Sequence, residues 1–363
     1  MKAEGVDDPW THLTFTNETA GPNLSTEVIR DVAPLDVQLG VDDVKTVPEK
    51  LLKALFSHSE KSSFQHEESR GGNENLPPMR TYAVVDAAKV QNLPDMIDAS
   101  GLTYRCLFKG KAYDELMEAA PWLVELEEGN AFTRNLFTRS NAQWHLWGAE
   151  PGIYVRSRST FEKVWSHFRK FTRIQDVHGN WFYFRFWEAG GLNALFQSWI
   201  DAPNQLAAFF VMPEGLGVDN VICIDANTGT VRSHYISNKL LNFRNSPFRL
   251  SDEDRKVLSR WRAEKFDSKL LAELSRTYPE FSSSSEGENI KWLSYVIKSA
   301  SESGIELESA IVDFAHAAYL LQGDPRAHGE TMSLLGDQTL HQKDRALLAR
   351  KAAEKFVTIR GFK

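Results

Sequence analysis

The sequence predicts an α/β (α+β) N-terminal lobe with a mixed sheet, followed by an all-α helical bundle lobe. Three observations carry this prediction. Between residues 80 and 250, short apolar runs rich in β-branched and aromatic residues alternate with stretches of helical periodicity. Beyond Leu250 no strand-like run occurs, and long amphipathic stretches take over. Before Arg80 the chain is rich in Asp, Glu, Asn, Ser and Pro and carries one convincing helix. The expected organisation is an acidic, partly disordered arm over residues 1–79, an α/β domain over 80–250 and a helical lobe over 251–363.

In the arm, PEKLLKALFSH sets Leu51, Leu52, Leu55 and Phe56 at helical spacing. The polar stretch SEKSSFQHEESRGGNENLPP reads as a linker or a disordered segment. TYAVVDAA is a near-continuous apolar strand, NLPDMIDASG a short helix closed by Gly101, TYRCLF a strand, and YDELMEAA a helix stopped by Pro121. WLVEL and WHLWG are strand candidates around the helix-like AFTRNLF. STFEKVWSHFRKF has Ser159 or Thr160 as N-cap and puts Phe161, Val164, Trp165 and Phe168 on one face. RIQDVHGNWFYFRFW reads as a hairpin turning at His178-Gly179-Asn180. AGGLNALFQSWI is a helix, AAFFVM a strand, and VICIDANTGTVRSHYI a second hairpin turned by Asn227-Thr228-Gly229. In the last third, a helix opens on a Ser251 cap with early acids and runs to Pro279. SSSSEGEN reads as a flexible break before three further helices, NIKWLSYVIKSASESG, ELESAIVDFAHAAYLLQG and LHQKDRALLARKAAEKFVTI.

Composition excludes several classes. With 42% hydrophobic and 25% charged residues over 363 positions, there is apolar material for a real core. The formal net charge is −7, and residues 1–79, with seven basic and fourteen acidic side chains, account for all of it. The rest of the chain holds 35 of each sign, which weighs against bulk nucleic-acid binding. No apolar run reaches the roughly 18 residues that a membrane span needs. The opening MKAEGVDDPW lacks the apolar centre of a signal peptide. The two cysteines, Cys106 and Cys223, lie in strand-like segments and suit buried, unpaired roles in a reducing compartment. A cytoplasmic location without a membrane partner is therefore expected.

The common catalytic motifs do not occur: there is no G-x-S-x-G, Walker A, H-E-x-x-H or C-x-x-C. GLGVDN at 215–220 lacks the third glycine of a dinucleotide loop and precedes a strand. Asp225, Asn227 and Gly229 mimic the start of a calcium loop, but the glycine comes one position early and Ile236 replaces the bidentate Glu, so a tight turn is favoured. The best acid/base set is Asp176 and His178, with His145 and His167 as candidate neighbours. Were these to converge, they would serve a small-molecule or nucleotide-processing enzyme. Asp176 and His178 sit at a hairpin turn, however, where polar residues belong anyway. No catalytic residue, cofactor or metal ligand is expected. Residues 156–185 carry Arg156, Arg158, Lys163, Arg169, Lys170, Arg173 and Arg185 against Glu162 and Asp176. Beside the aromatic run 181–187 this suggests a nucleic-acid-binding module as another alternative. A strand alternating Trp181, Tyr183 and Arg185 against Phe182, Phe184 and Phe186 more simply has two covered faces.

Several short motifs occur in a telling order: Leu107-Phe108, Ala120-Pro121-Trp122-Leu123-Val124, Trp147-Gly148, His167-Phe168-Arg169 and Phe184-Arg185-Phe186-Trp187. Over residues 80–215 their succession resembles the type VI secretion effector adaptors, the Tap/TEC chaperones first described as a domain of unknown function. One departure is Glu188-Ala189, where that family generally has Asp-Pro. Ala lacks the fixed φ of Pro, which alters either a partner contact or merely the end of a strand.

The resemblance implies binding rather than catalysis. Such adaptors hold a specific toxic effector in the cytoplasm and load it onto the secretion spike protein, so those two proteins are the expected partners. Candidate protein-binding residues are Arg185 and Trp187, since Arg and Trp lead among interface anchors. Trp147, Trp122 and Arg169 join them from the matching motifs, Glu188 from the position of the departure, and Trp292 and Tyr295 from the first of the three C-terminal helices. An interior reading stands beside this one: Arg185 pairs with a buried carboxylate such as Asp86, Trp187 fills core, and the face with Trp292, Tyr295 and Val296 packs inside the bundle. The acidic arm is either a solubilising extension or a segment that folds against a basic surface.

Overall fold

The computed structural model describes residues 16–21, 23–57, 77–212, 217–237, 239–240 and 248–360. Two compact units divide the chain, Met1–Ser259 and Arg260–Lys363. The first begins with strands β1 (Thr16–Ala20) and β2 (Leu24–Ile29) and helix α1 (Glu49–Phe56). Strand β3 (Arg80–Asp86), helix α2 (Leu93–Asp98), strand β4 (Tyr104–Cys106), helix α3 (Lys111–Leu116), strand β5 (Pro121–Leu126) and helix α4 (Ala131–Phe137) follow. Then come strand β6 (Gly152–Ser157), helix α5 (Phe161–Arg169), strands β7 (Arg173–Asp176) and β8 (Trp181–Tyr183), and helices α6 (Ala189–Ser198) and α7 (Pro203–Phe210). Strands β9 (Val218–Asp225), β10 (Thr230–Ile236) and β11 (Arg249–Leu250) lead into helix α8 (Asp252–Thr277), within which the division between units falls.

Eight strands form one sheet in the order β1-β2-β10-β9-β6-β3-β5-β4, with antiparallel neighbours throughout. A small sheet, β11-β7-β8, combines a parallel pair with an antiparallel one. The fold class is the one expected: strands of mixed direction with covering helices, then helices alone. Alternation along β3 shows why its sequence is almost continuously apolar. Tyr82 and Val84 enter a core shared with Phe168, Phe186, Leu195 and Phe209, while Ala83 and Val85 enter a second core with Leu51, Leu55, Phe137 and Trp147. A sheet buried on both faces has no polar side to alternate with.

Four local expectations are corrected. Residues 1–79 hold more than one helix, because β1 and β2 extend the large sheet through β10. Strand β2 does alternate, with Leu24, Thr26, Val28 and Ile29 buried, but in LSTEVI two of the strand's six residues, Ser25 and Glu27, are polar on the less buried face. WHLWG is not a strand: Trp147–Ala149 is a 3₁₀ turn, and the strand is the following GIYVRS. AAFFVM belongs mostly to α7, whose first turn contains Pro203 and whose Leu206, Ala207, Phe209 and Phe210 are all buried. A short apolar run has no polar face by which periodicity could tell helix from strand. Trp181 and Tyr183 of β8 do not lie under a second cover, being 55% and 59% exposed. Most of the expected linker before Arg80 lies outside the described residues.

The second unit contains the remainder of α8 with α9 (Glu286–Glu302), α10 (Glu308–Leu320), α11 (Gly329–Gly336) and α12 (Gln342–Arg360). Helix α11 has no counterpart among the expected helices. SSSSEGEN is not simply a break: Ser285 and Glu288 form a capping box at the start of α9. Leu270, Leu274, Leu293, Val296, Phe314 and Ala349 share the core of this unit. Arg345, almost fully buried, donates to the carbonyls of Ser303 at 3.1 Å, Gly304 at 3.0 Å and Leu335 at 2.6 Å.

The tightest approach in the large sheet is at Gly152. A Cβ there would lie 1.8 Å from the Val84 carbonyl oxygen, a backbone atom held in the central ladder. Gly152→Ala is expected to cost roughly 2–4 kcal/mol, read as a lower urea midpoint with little change in slope.

Candidate protein-binding site

Strand β3 ends on Asp86, whose carboxylate is fully buried. Its Oδ1 accepts from the Ala88 N–H at 3.0 Å, and its Oδ2 accepts from Arg185 Nη2 at 2.6 Å. Arg185 Nε donates in turn to Glu188 Oε1 at 2.7 Å, and the guanidinium stands 5.9 Å from the Trp187 ring. Trp187 is 2% exposed and packs edge-on against Phe186. The sequence candidates Arg185, Trp187 and Glu188 therefore do converge, but on an interior carboxylate. As a surface anchor Trp187 is a correction: its ring is core. Glu188 is the N-cap residue of α6 and Ala189 its first helical residue. Pro is favoured at that first position, so the departure from Asp-Pro falls on a helix start.

Trp122 and Arg169 mark a different place. Trp122, on β5 beside the edge strand β4, is buried, donates its indole N–H to the Met117 carbonyl at 3.2 Å, and lines an open recess of about 340 Å³. Tyr104, Phe108, Tyr113 and Trp165 are the other aromatic walls. Tyr104 and Tyr113 lean on Trp122 with ring centroids at 5.9 and 6.3 Å. Trp165 of α5 fixes its ring by donating to the Cys106 carbonyl at 2.8 Å. Three cations surround that indole: Arg105 at 4.8 Å, Lys109 at 5.2 Å and Arg169 at 5.5 Å. Arg105 is also paired with Glu162 at 2.6 Å, whereas Lys109 and Arg169 have no ion pair among the described residues.

The recess continues onto the β7–β8 hairpin. Phe108 meets Tyr183 with centroids 5.9 Å apart, and Tyr183 lies directly across the ladder from Arg173. Arg173 sits 4.8 Å from the ring of Trp181, two residues from Tyr183 and on the same strand face. One aromatic and basic surface thus runs from Tyr113 to Trp181. Sequence reasoning did not single out Tyr104, Phe108, Tyr113, Tyr183 and Trp181 as one surface, because they come from four different segments that only the sheet edge and the hairpin bring together.

The remaining candidates lie elsewhere. Trp147 is 2% exposed, within the core that contains Leu51 and Phe137, so it is not a surface contact. In the second unit Trp292 is half-buried against Phe281 and Tyr319, and Tyr295 is exposed, donating its hydroxyl to Asp324 Oδ2 at 3.1 Å. Arg156 and Arg158 of the basic stretch are buried: Arg156 donates to the Ala54 carbonyl at 3.4 Å, Arg158 to that of Pro77 at 2.6 Å. The acid/base set is dispersed. Asp176 holds its hairpin turn through the N–H groups of His178 at 2.9 Å and Asn180 at 2.8 Å. His145 bonds to Ser140 Oγ at 2.6 Å, and His167 donates to the Phe209 carbonyl at 2.7 Å. Asp225 accepts from Asn227 and Thr228 in the tight turn before Gly229, whose φ is +64°. Burial pushes the Cys106 and Cys223 thiols up, to about 11 and about 12.

Residues 81–205 match a family model described as Domain of unknown function (DUF4123), about a third of the chain. The match begins in β3, includes the whole of the recess and the β7–β8 hairpin, and ends in α7. No curated protein and no solved structure matches the chain.

Two consequences can be measured. Burial raises the Asp86 carboxyl above the usual carboxylate range, and Arg185 opposes that rise. A carboxyl with a raised folded pKa weakens the fold as pH increases. Arg185→Met removes the opposing charge and is expected to cost about 1–3 kcal/mol near neutral pH. The loss should shrink as pH is lowered and Asp86 takes up a proton in the variant; urea midpoints at neutral and at mildly acidic pH check this. Burial also holds the His167 imidazole down at about 4 and His234 at about 3. The unfolded rings titrate near ~6.5, so their contribution is full above that value and is lost as pH falls toward the folded values, by up to about 1.4 kcal/mol per pH unit for each ring. Imidazole NMR shifts for both should stay at the neutral position down to about pH 5.

Proposed function

We propose that this protein is a non-enzymatic adaptor that binds a cognate toxic effector in the cytoplasm and helps load it onto the type VI secretion spike protein. The observation that carries the reading is a surface lying wholly within residues 81–205: the recess of Trp122 and Trp165, continued by Tyr183 and Trp181 on the hairpin. Those residues also contain the ordered motifs that resemble the effector adaptors. Tyr113, Trp181 and Tyr183 are exposed beside the buried Trp122 and Trp165; exposed rings are expensive to leave in water, and rigid aromatics beside Arg are what desolvated protein interfaces use as anchors. Here the rings are held in place by the core behind them, so little side-chain entropy is lost when a partner covers them.

Co-expression of the full chain with the products of its neighbouring reading frames provides the test. One toxin should co-purify as a stable complex, and its soluble yield should rise several-fold over expression alone. If no neighbouring product co-purifies and no spike gene lies nearby, the adaptor reading fails.

A further inference from the structure

We infer that the recess walled by Tyr104, Phe108, Tyr113, Trp122 and Trp165 seats an apolar side chain from an acidic segment of the partner protein, whose carboxylates meet Lys109, Arg169 and Arg173. The inference rests on the adaptor reading for its choice of a protein as occupant and specifies that partner's chemistry. Size and lining set the first half of the argument. A recess of about 340 Å³ lined largely by rings accommodates one or two large apolar side chains but not a folded element.

Charge sets the second half. Around the recess and hairpin, Arg105 is committed to Glu162 and Lys111 to Glu115 at 3.5 Å. Lys109, Arg169 and Arg173 are exposed and form no ion pair among the described residues; each faces only the π-cloud of Trp165 or Trp181. A cation over an indole remains free to accept a carboxylate at its outer side, and desolvation by a seated apolar residue strengthens that pair. Three such cations match a short acidic segment. They are too few for a nucleic-acid backbone, whose binding needs a longer run of phosphate contacts: of the other bases between 156 and 185, Arg156, Arg158 and Arg185 are committed to partners within the fold, which leaves only Lys163 and Lys170, exposed on and just after α5 and outside the recess lining.

The test uses the full chain and a fluorescein-labelled, Glu-rich peptide with one central Trp. Controls are the same peptide with Lys for every Glu, the peptide with Gly for Trp, and oligothymidylate of equal length. Fluorescence anisotropy should show the Glu/Trp peptide binding with an affinity that falls as salt is raised, and about tenfold or more weaker binding of both peptide controls. Combining Lys109→Glu, Arg169→Glu and Arg173→Glu should weaken the Glu/Trp peptide by about tenfold or more, with the melting temperature retained because all three side chains are exposed. Tyr183→Ala should weaken it with no change in salt dependence. Failure of the Glu/Trp peptide to bind, equal binding of the Glu and Lys peptides, an unaffected charge-reversed variant, or tighter binding of oligothymidylate would each overturn the inference. So would a concentration-dependent dimer that the charge reversal dissociates, since the recess would then belong to a second copy. Co-purification separates the two levels. A neighbouring toxin retained equally by wild-type and charge-reversed chains leaves the adaptor reading standing without this seat, whereas peptide discrimination with no toxin retained does the reverse.

Discussion

Strand β3 imposes the constraint on which the rest of the first unit depends. Six of its seven residues are buried, β5 and β6 occupy both of its edges, and its side chains feed two cores in alternation. Such a strand cannot leave the sheet without polar groups that need partners, and it leaves on Asp86. A carboxylate placed there costs desolvation unless it is matched by hydrogen bonds and a cation. The match comes from Arg185, almost a hundred residues further along the chain, together with the Ala88 N–H. Arg185 then holds Glu188, from which α6 begins. One buried charge thereby decides where the helical layer over that face of the sheet starts, and it orients the Phe184–Trp187 run that packs beneath it.

The recess follows from how this sheet ends on its other side. Strand β4 has only three residues, a length that limits the unpaired edge it presents. Just beyond it, Phe108 packs against both cores, one from each face of the sheet. Where two cores meet past the last strand, rings line the recess: the buried Trp122 approaches from one face, the buried Trp165 from the other, and the exposed Tyr113 and Tyr183 flank them. The binding surface is therefore the margin of the core itself rather than a separate decoration, and mutations that repack Phe108 would be felt on both sides.

How much of this could be read in advance depends on whether the deciding interaction was local. The Ser251 cap is legible because its partner is three residues away: Ser251 Oγ accepts from the Asp254 N–H at 3.0 Å, and Asp254 Oδ2 accepts from the Ser251 N–H at 2.8 Å. The turn at Asn227-Thr228-Gly229 and the apolar face of α5 are legible for the same reason. The pairing of Arg185 with Asp86 was one of two readings of those residues, and only tertiary structure could choose between them. Strand β2 has no reading in the sequence and helix α7 reads there as a strand because their identity is set by distant neighbours, β10 in one case and the surrounding Phe196, Trp199 and Phe168 in the other. At the candidate site, Trp122 and Arg169 were named, but for motif membership; the recess joining them to Trp165 depends on a sheet edge no linear pattern displays.

The charge distribution makes the same point about surfaces. Along the sequence, acids concentrate before residue 79 and bases between 156 and 185, as though two opposed segments were waiting to meet. In the fold the basic stretch divides. Arg156 and Arg158 point inward and donate to carbonyls of Ala54 and Pro77, which ties the chain on either side of the segment before β3 to the sheet. Arg185 is consumed by Asp86 and Glu188. The acidic stretch is likewise partly built in, with Glu27 of β2 accepting from the Tyr235 hydroxyl of β10 at 3.2 Å toward one edge of the large sheet. What remains facing outward at the recess is a small set of cations laid over tryptophan rings. A count of charges along the chain overstates the basic surface, and the reduced set is what suits a few carboxylates on an apolar segment better than a track of phosphates.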